Sequence, residues 1–396
     1  MQNLKSLRRK YVQIVKEKSV GKDLVIYGAG IYARKLYTLL RANNLQVKYF
    51  CVSDHAGNLD RVMGLPVKIM ADWHEEELER TLFLIGIMRP AGEQVYYKLQ
   101  MIEKLNVLAT PRYFELILDD DFARPALEIT PIAGCSVNCK YCPQEAFLTR
   151  YFSHPRQKEM SFTDFKTCID KTPANLMIDF SGFVEPFMAK DAVKMMQYGA
   201  KLGRDMRLFT TLKGLTLEKF KEIEDIPFKM VVLHLPDVHG FAHISVTEVY
   251  MELLEMVVSK KKVNGERFVD TANCQAAPEP EVAAMLQGRV PISWSLVDRA
   301  GNLEGSELAS ANLPVDEEIF CSRASKLDHN VLLPNGDVVL CCMDFGMRHV
   351  LGNLLEDNYE DIMSSAEMCK VMSSLTGKGD SLCRHCSSAE RSDVLK

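Results

Sequence analysis

The run Gly134-Cys135-Ser136-Val137-Asn138-Cys139-Lys140-Tyr141-Cys142-Pro143 decides the fold expected for this chain of 396 residues. Its cysteines follow the spacing C-x3-C-x2-C, which is typical of a loop that wraps an iron–sulfur cluster. Most zinc sites and electron-transfer clusters take four protein ligands, whereas three thiolates leave one iron of a four-iron cluster open. The sequence thus predicts a reactive cluster on Cys135, Cys139 and Cys142, with zinc or structural cysteines as the alternative.

Two apolar segments lie on either side of this triad. Residues 127–132 precede it, and residues 176–180 follow it and end in Ser181-Gly182-Phe183-Val184-Glu185-Pro186. With Tyr141 before the third cysteine, these segments resemble the radical S-adenosylmethionine (radical SAM) superfamily. The resemblance implies that SAM chelates the open iron, and that one electron cleaves SAM to a 5'-deoxyadenosyl radical.

The same resemblance implies which residues bind SAM. Tyr141 belongs to the cluster motif, and the segment with Ser181, Gly182 and Glu185 binds the amino group of SAM through backbone groups and a carboxylate. Val184 stands where a glycine is commoner in the family. Because a buried ammonium group needs a fixed carboxylate, we expect Glu185 to bind it.

Residues 126–311 alternate strand-like and helical runs, which indicates a parallel α/β arrangement. The resemblance implies a partial (β/α)6 barrel with its functional groups at the C-terminal strand ends. The predicted helices include residues 191–202 and 246–259. The predicted strands are residues 127–132, 176–180, 206–211, 229–235, 267–272 and 290–296.

Polar residues follow several of these strands. His234, Asp237, Asn273 and Gln275 are candidates for contacts with SAM or substrate, and loop anchoring is the alternative for each. The run Asp298-Arg299-Ala300-Gly301-Asn302-Leu303 resembles the sixth-strand segment of radical SAM enzymes with a C-terminal cluster domain. Arg299 has too high a pKa to act as a base, but it can pair with the SAM carboxylate or an oxidised substrate, so we predict a catalytic role for it.

The N-terminal segment carries a second motif. Leu24-Val25-Ile26-Tyr27-Gly28-Ala29-Gly30-Ile31-Tyr32-Ala33 predicts a strand, a glycine turn and a helix, and a second strand at 47–52 ends near Asp54. This pattern predicts a Rossmann-like fold in which Gly28, Gly30 and Asp54 bind a nucleotide or nucleotide sugar. The same fold without a nucleotide is the alternative. The segment also resembles N-terminal domains of bacterial polysaccharide-biosynthesis proteins.

The C-terminal segment carries a second set of cysteines. Cys321, Gly336 and Cys341 follow the pattern C-x14-G-x4-C, and Cys383-Arg384-His385-Cys386 comes later. This pattern resembles the SPASM domain in its shortened, or twitch, form with one auxiliary cluster. Cys321, Cys341, Cys383 and Cys386 would ligate all four irons of that cluster. Cys342 is the competitor for Cys341, and zinc is the competitor for the cluster.

Two reactions follow from the resemblance. In the first, a radical SAM oxidoreductase dehydrogenates a sugar or nucleotide-activated sugar, and the auxiliary cluster accepts the electron. In the second, Cys274 or Cys342 returns a hydrogen atom to the substrate radical, as in a sugar epimerase. A peptide maturase is a further alternative, but such enzymes usually carry a winged-helix leader-peptide binder at the N-terminus. A SAM-binding module without catalysis is the non-enzymatic interpretation.

Length and composition agree with a soluble multidomain protein. We predict a Rossmann-like domain at 1–118, a linker at 119–125, a radical SAM barrel at 126–311 and an auxiliary cluster domain at 312–396. The net charge of -5 gives no overall basic field, so we expect no nucleic-acid partner. With 12 cysteines in metal-like spacings and no signal peptide or membrane span, we expect a cytoplasmic protein that receives electrons from a flavodoxin or ferredoxin.

Overall fold

The computed structural model describes residues 4–53, 60–87, 91–109, 124–294, 296–303, 312–323 and 327–391. It has a mixed α/β fold, which confirms the predicted fold class. The chain forms two compact units: the first comprises Met1–Phe122, Asp270–Asn273 and Glu279–Ser295, and the second comprises the remaining residues. Within the described ranges, every helix is too short or too polar to span a membrane.

The first unit contains a six-stranded sheet. Its strands run in the order β3-β4-β2-β1-β5-β6, and all neighbours are parallel except β3, which is antiparallel to β4. The five parallel strands follow the order 3-2-1-4-5 of a doubly wound nucleotide-binding sheet, as the glycine motif predicted. The strands are β1 (Asp23–Tyr27), β2 (Val47–Val52), β3 (Arg61–Val62), β4 (Leu65–Ile69), β5 (Thr81–Ile85) and β6 (Asn106–Leu108).

Helices connect these strands, and the turn into the second helix depends on glycine. Gly28 has φ +112°, and a Cβ atom there would lie 2.9 Å from Ile87 Cγ1. A side chain at this position would therefore strain the turn. The helices are α1 (Leu4–Lys18), α2 (Ile31–Ala42), α3 (Glu75–Glu79) and α4 (Ala91–Gln100).

Six further strands correspond to those predicted for residues 126–311. They are β7 (Ala126–Ile129), β8 (Met177–Phe180), β9 (Met206–Thr210), β10 (Met230–His234), β11 (Thr271–Cys274) and β12 (Ile292–Trp294). The strands β7 to β10 are parallel neighbours in chain order within the second unit. The strands β11 and β12 are neighbours of each other.

One predicted strand is displaced. The sequence predicted a strand at 267–272, but β11 begins at Thr271. Residues 260–268 instead form a tight turn, in which Lys261 pairs with Arg267 and the Phe268 amide donates to the Lys260 carbonyl at 3.1 Å. The apolar Phe268 and Val269 that suggested a strand are buried core residues. The predicted linker at 119–125 lies mostly outside the described residues.

The C-terminal strands extend the same sheet of the second unit. Its order is β10-β9-β8-β7-β14-β15-β16, in which β14 runs parallel to β7 and antiparallel to β15. A separate antiparallel pair joins β13 and β17. The strands are β13 (Ile319–Cys321), β14 (His329–Leu332), β15 (Asp337–Val339), β16 (Val350–Asn353) and β17 (Ala389–Arg391).

Helices lie between successive strands from β7 to β12, and two more follow β16. Hydroxyl groups of Ser161, Thr216 and Thr247 cap three of them by accepting a backbone N–H in the first turn, which fixes where these helices begin. The helices are α5 (Gln144–Tyr151), α6 (Phe162–Asp170), α7 (Ala192–Lys201), α8 (Leu217–Ile223), α9 (Glu248–Ser259), α10 (Pro280–Leu286), α11 (Tyr359–Ile362) and α12 (Ala366–Leu375).

Candidate active site

The cysteine triad lies in the loop between β7 and α5, as the motif predicted. Cys135, Cys139 and Cys142 are all half-buried. Burial, together with the nearby charges of Cys142 and Cys135, raises the pKa of Cys139 to about 12. The thiols therefore lie in one another's electrostatic field. Cationic irons would stabilise the three thiolates, so the triad fits a cluster.

Gln144, for which the sequence predicted no role, holds this loop in place. Gln144 is buried, and its Nε2 lies 3.5 Å from Cys142 Sγ, to which it donates. The same nitrogen donates to the Phe183 carbonyl. Gln144 thereby ties the triad to the segment predicted to bind SAM. Its position at the start of a helix gave no signal of this contact.

The tight turn at Gly182 explains why a glycine stands there. Gly182 has φ +58°, and a Cβ atom would lie 2.2 Å from Thr130 Oγ1 and 2.8 Å from the Ile129 carbonyl oxygen. The Phe183 amide donates to the same Thr130 hydroxyl at 3.0 Å. The turn therefore packs directly on the end of β7, beside the triad loop.

Glu185 is buried and already accepts four hydrogen bonds. Its Oε1 accepts from the Phe187 amide at 3.2 Å and the Thr210 hydroxyl at 2.8 Å. Its Oε2 accepts from the Thr211 amide at 2.6 Å and the Thr211 hydroxyl at 2.7 Å. A carboxylate has about four acceptor positions. An ammonium group would have to replace one of these donors, and the two threonine hydroxyls are the side-chain donors among them.

We expect Glu185→Ala to weaken SAM binding at least about tenfold while the iron content stays unchanged, because a charge-assisted hydrogen bond contributes about 1.5–3 kcal/mol. Anaerobic calorimetry with SAM measures the affinity. Glu185→Gln is the control, since it keeps a hydrogen-bonding side chain of the same size without the charge. If Glu185→Gln binds SAM normally and Glu185→Ala does not, the carboxylate only holds the ends of β8 and β9 together. Normal binding by both variants would contradict any role in SAM binding.

The four C-terminal cysteines of the predicted set line one cavity of the second unit. Cys321 ends β13, Cys341 follows β15, and Cys383 and Cys386 lie in and just after a short helix at Leu382–His385. The cavity measures about 60 Å³. By the same measure one water molecule needs about 10–15 Å³, so the space exceeds what a single ion fills. The cavity therefore has room for a multi-iron group.

Among the described residues, no three His, Cys, Asp or Glu side chains converge closely enough to hold a single metal ion. Zinc stays the alternative to a cluster at both cysteine sets.

Cys341 and Cys342 face different neighbours. Burial raises the pKa of the Cys341 thiol. The nearby charges of Cys342, Cys386 and Cys383, in decreasing order, also raise this pKa. Burial also raises the pKa of Cys342 to about 12, but its next neighbours are Glu128 and two arginines. Cys341 therefore remains the predicted fourth ligand, and Cys342 points toward β7.

A buried arginine fixes the loop that carries the last two cysteines. Arg384 is fully buried, and its guanidinium donates to three backbone carbonyls, with the Glu317 oxygen at 2.8 Å. The other two acceptors are the carbonyls of Pro314 and Ser374. The sequence gives no signal for this role of Arg384, because its partners are backbone carbonyls of distant segments.

Arg299 lies near both cysteine sets. Its charge opposes the burial that raises the pKa of Cys142 and of Cys342. Partial removal from bulk water and the Arg299 charge both lower the pKa of His234, although this residue is exposed at the end of β10. The Arg299 guanidinium stands 5.6 Å from the Phe345 ring centre, and its Nε is buried without a hydrogen-bond partner. Both Arg299 and Ala300 have φ +54°, a strained backbone conformation.

The remaining predicted residues have separate positions. Tyr141 packs edge-on against Phe241, with ring centres 5.5 Å apart. Asp237 accepts the amides of His239, Phe241 and Ala242, so it anchors a loop. Cys274 is buried near the Leu235 backbone and does not line the cavity of the C-terminal cysteines.

The nucleotide prediction concerns the first unit. Gly28 and Gly30 lie between β1 and α2, and Gly30 is the N-cap of that helix, with open space where its side chain would be. Asp54 lies outside the described residues. The prediction of a nucleotide at these glycines therefore stays a prediction.

Known proteins and structures resemble parts of this architecture. No curated protein matches the chain. The chain is similar to BtrN in complex with AdoMet and 2-DOIA (17% identity, TM-score 0.44, 67% of this chain and 93% of that chain). It is also similar to native anSMEcpe with bound AdoMet and Cp18Cys peptide (14%, 0.40, 66% and 86%) and to Streptococcus suis SuiB bound to precursor peptide SuiA (12%, 0.40, 67% and 70%).

Because each of these TM-scores is below 0.5, we draw no functional conclusion from the solved structures. A family match is confined to the C-terminal cysteines. Residues 321–387, which contain Cys321, Cys341, Cys383 and Cys386, match the family model of SPASM, an iron–sulfur cluster-binding domain. The C-terminal part of the chain is therefore similar to the SPASM family of cluster-binding domains.

Proposed function

We propose that this protein is a radical SAM enzyme that oxidises a sugar or nucleotide-activated sugar. The observation that carries the proposal is the pair of cysteine sets within one compact unit, one with three thiols and one with four. The triad spacing, the turn at Gly182 and the SPASM match of residues 321–387 support it.

The two cysteine sets, Glu185 and Gln144 would each have a separate role. Cys135, Cys139 and Cys142 would hold the SAM-binding cluster, and Cys321, Cys341, Cys383 and Cys386 would hold the auxiliary cluster. When bound, the first cluster supplies the electron that cleaves SAM, and the second accepts an electron from the substrate. Glu185 would orient the SAM amino group, and Gln144 would keep the triad loop against that segment.

Arg299 suits the recognition of an anionic group. Within the described residues its Nε is buried without a hydrogen-bond partner, and its neighbours His234, Cys142 and Cys342 carry no negative charge at neutral pH unless a metal holds the thiolate. A guanidinium favours carboxylate or phosphate. This chemistry, together with the Rossmann-like sheet of the first unit, favours a phosphorylated or nucleotide-activated sugar over a peptide.

Product analysis tests the proposed reaction. We expect reconstituted protein, supplied with SAM and with reduced flavodoxin or ferredoxin, to convert at least one member of a nucleotide-sugar panel to a product lighter by two hydrogens. One 5'-deoxyadenosine should form per product molecule, because each abstracted hydrogen atom consumes one SAM. Mass spectrometry and chromatography measure both quantities. SAM cleavage without any product of lower mass would contradict oxidation.

Epimerisation is the second candidate, and the position of Cys342 favours it. The Cys342 thiol lies near Arg299, so the radical of a substrate bound at Arg299 could take a hydrogen atom from this thiol. The product mass would then be unchanged, and in heavy water the product carbon would carry one deuterium. If Cys342→Ala or Cys274→Ala abolishes that deuterium, the enzyme is an epimerase.

A further inference from the structure

Gln144 makes a hydrogen bond to a sulfur atom that is predicted to ligate iron. It is the first residue of α5, directly after the triad loop, and its backbone N–H donates to the Cys142 carbonyl at 2.8 Å. Its side-chain Nε2 lies 3.5 Å from Cys142 Sγ, a distance at which an N–H group donates to sulfur. Gln144 therefore holds the third cysteine of the triad through both its backbone and its side chain.

The orientation of the Gln144 amide follows from its second partner. Nε2 also donates to the Phe183 carbonyl, and a carbonyl oxygen can only accept a hydrogen bond. The amide nitrogen, and not the amide oxygen, must therefore lie on this side. Its two N–H groups serve the Phe183 carbonyl and the Cys142 sulfur.

Phe183, which orients this amide, is itself held from two sides. Its backbone N–H donates to Thr130 Oγ1 at 3.0 Å, and its ring stacks on that of Phe345 with the ring centres 4.1 Å apart. The Phe183 side chain is also buried. Because this acceptor is fixed, the second N–H of Gln144 stays directed at Cys142.

The amide of Gln144 is unfavourable for stability at this position. The residue is only 5% exposed, and within the described ranges its Oε1 is buried without a hydrogen-bond partner. Burial of an unpaired carbonyl oxygen costs free energy, and leucine would fill much of the same space without this cost. The unpaired oxygen therefore indicates that the N–H groups of the same amide have a function.

The surroundings of Cys142 strengthen its hydrogen bond with Gln144. Cys142 packs against a buried apolar cluster that contains Phe183. Burial raises the pKa of Cys142, whereas the Arg299 charge and the Gln144 hydrogen bond lower it. A hydrogen bond is electrostatically stronger in apolar surroundings than in water. Gln144 therefore stabilises negative charge on this sulfur.

We propose that Gln144 is a positioning residue that raises the reduction potential of the cluster on Cys135, Cys139 and Cys142. The inference rests on the proposed function and concerns the electron that must arrive before SAM is cleaved. In this step one electron passes from reduced flavodoxin or ferredoxin to the oxidised cluster. The added electron increases the negative charge on the ligating sulfurs, so the Gln144 hydrogen bond stabilises the reduced state more than the oxidised state.

The experiment uses anaerobically reconstituted full-length protein with both clusters. Redox titrations followed by electron paramagnetic resonance give two potentials, and the signal that changes when SAM is added identifies the cluster with the open iron. We expect Gln144→Leu, titrated without SAM, to lower the equilibrium constant for reduction of that cluster about tenfold, which is about 59 mV for one electron. The auxiliary cluster is the internal reference, and its potential should not change.

Gln197→Leu is the matched control. Gln197 lies on α7 with an exposed side chain, and its Nε2 also donates to a backbone carbonyl, that of Glu222 at 3.2 Å. Its replacement should leave both potentials unchanged. An unchanged or higher potential of the SAM-sensitive cluster in Gln144→Leu overturns the proposal. An equal fall at both clusters, or in Gln197→Leu, overturns it as well. Each variant must hold the parent amount of iron.

A second measurement needs no variant. In protein whose glutamine side-chain amides carry nitrogen-15, pulsed electron paramagnetic resonance of the SAM-sensitive signal should show a coupling to this isotope, because Gln144 Nε2 is hydrogen-bonded to a ligating sulfur. Absence of the coupling overturns the proposal even if Gln144→Leu fails to assemble its cluster. A failed proposed function has a different result, since the parent would then show no signal that responds to SAM.

Discussion

Changing Cys135, Cys139 and Cys142 together to alanine is expected to remove half of the iron and to abolish reductive cleavage of SAM. Two four-iron clusters require about eight irons, and the triad is the predicted ligand set of one of them. Without its cluster, the protein has no site at which SAM can accept an electron. Iron analysis and the yield of 5'-deoxyadenosine after anaerobic reconstitution measure the two effects.

The matched control changes three cysteines outside both sets. Cys51 and Cys168 are buried core residues, and Cys369 is exposed. Their joint replacement by alanine removes the same number of thiols, so it should leave about eight irons and normal SAM cleavage. Undiminished cleavage in the triad variant, or equal loss of iron in the control, would contradict the assignment of the SAM-binding cluster.

Cys341→Ala is expected to remove the auxiliary cluster, whereas Cys342→Ala is expected to keep it. Cys341 shares its electrostatic surroundings with Cys383 and Cys386, and Cys342 faces Glu128 instead. Loss of one of four thiolates opens an iron to solvent and weakens the site. Iron content should therefore fall from about eight to about four in the first variant alone.

Each variant serves as the control for the other, because each removes one thiol and the two positions are adjacent. The opposite pattern would make Cys342 the fourth ligand and would remove the thiol needed for epimerisation. Zinc in place of iron at this site would contradict the auxiliary cluster altogether. Metal analysis of both variants distinguishes these outcomes.

Much of the fold could be predicted because its signals are local. The glycine turn at Gly28 and the apolar runs that became β7 to β10 and β12 depend on neighbours in sequence. The displaced strand β11 shows the limit of this approach. The run that contains Phe268 and Val269 is as apolar as a strand, but its backbone hydrogen bonds close a turn with Lys260 instead.

The polar residues around the cysteines could not be predicted for a different reason. Glu128 lies on a strand, and in a sequence a charged strand residue looks the same whether its side chain faces solvent or a cavity. Its hydrogen-bond partner Ser181 directly follows the next strand, β8. Gln144 donates a hydrogen bond to the Phe183 carbonyl, and Arg384 donates to backbone carbonyls. A pattern of side chains in the sequence does not reveal such backbone partners. These contacts exist only once distant segments meet, so a single sequence does not show them.

The contacts of Arg384 bear on how the auxiliary site acquires its metal. Its guanidinium holds the Cys383–Cys386 loop through carbonyl oxygens, and none of these bonds involves a thiol. The loop can therefore reach its final shape before iron arrives. A preformed cluster handed over by a carrier protein would meet ligands already in position, and the folding of the C-terminal chain would not have to wait for its delivery.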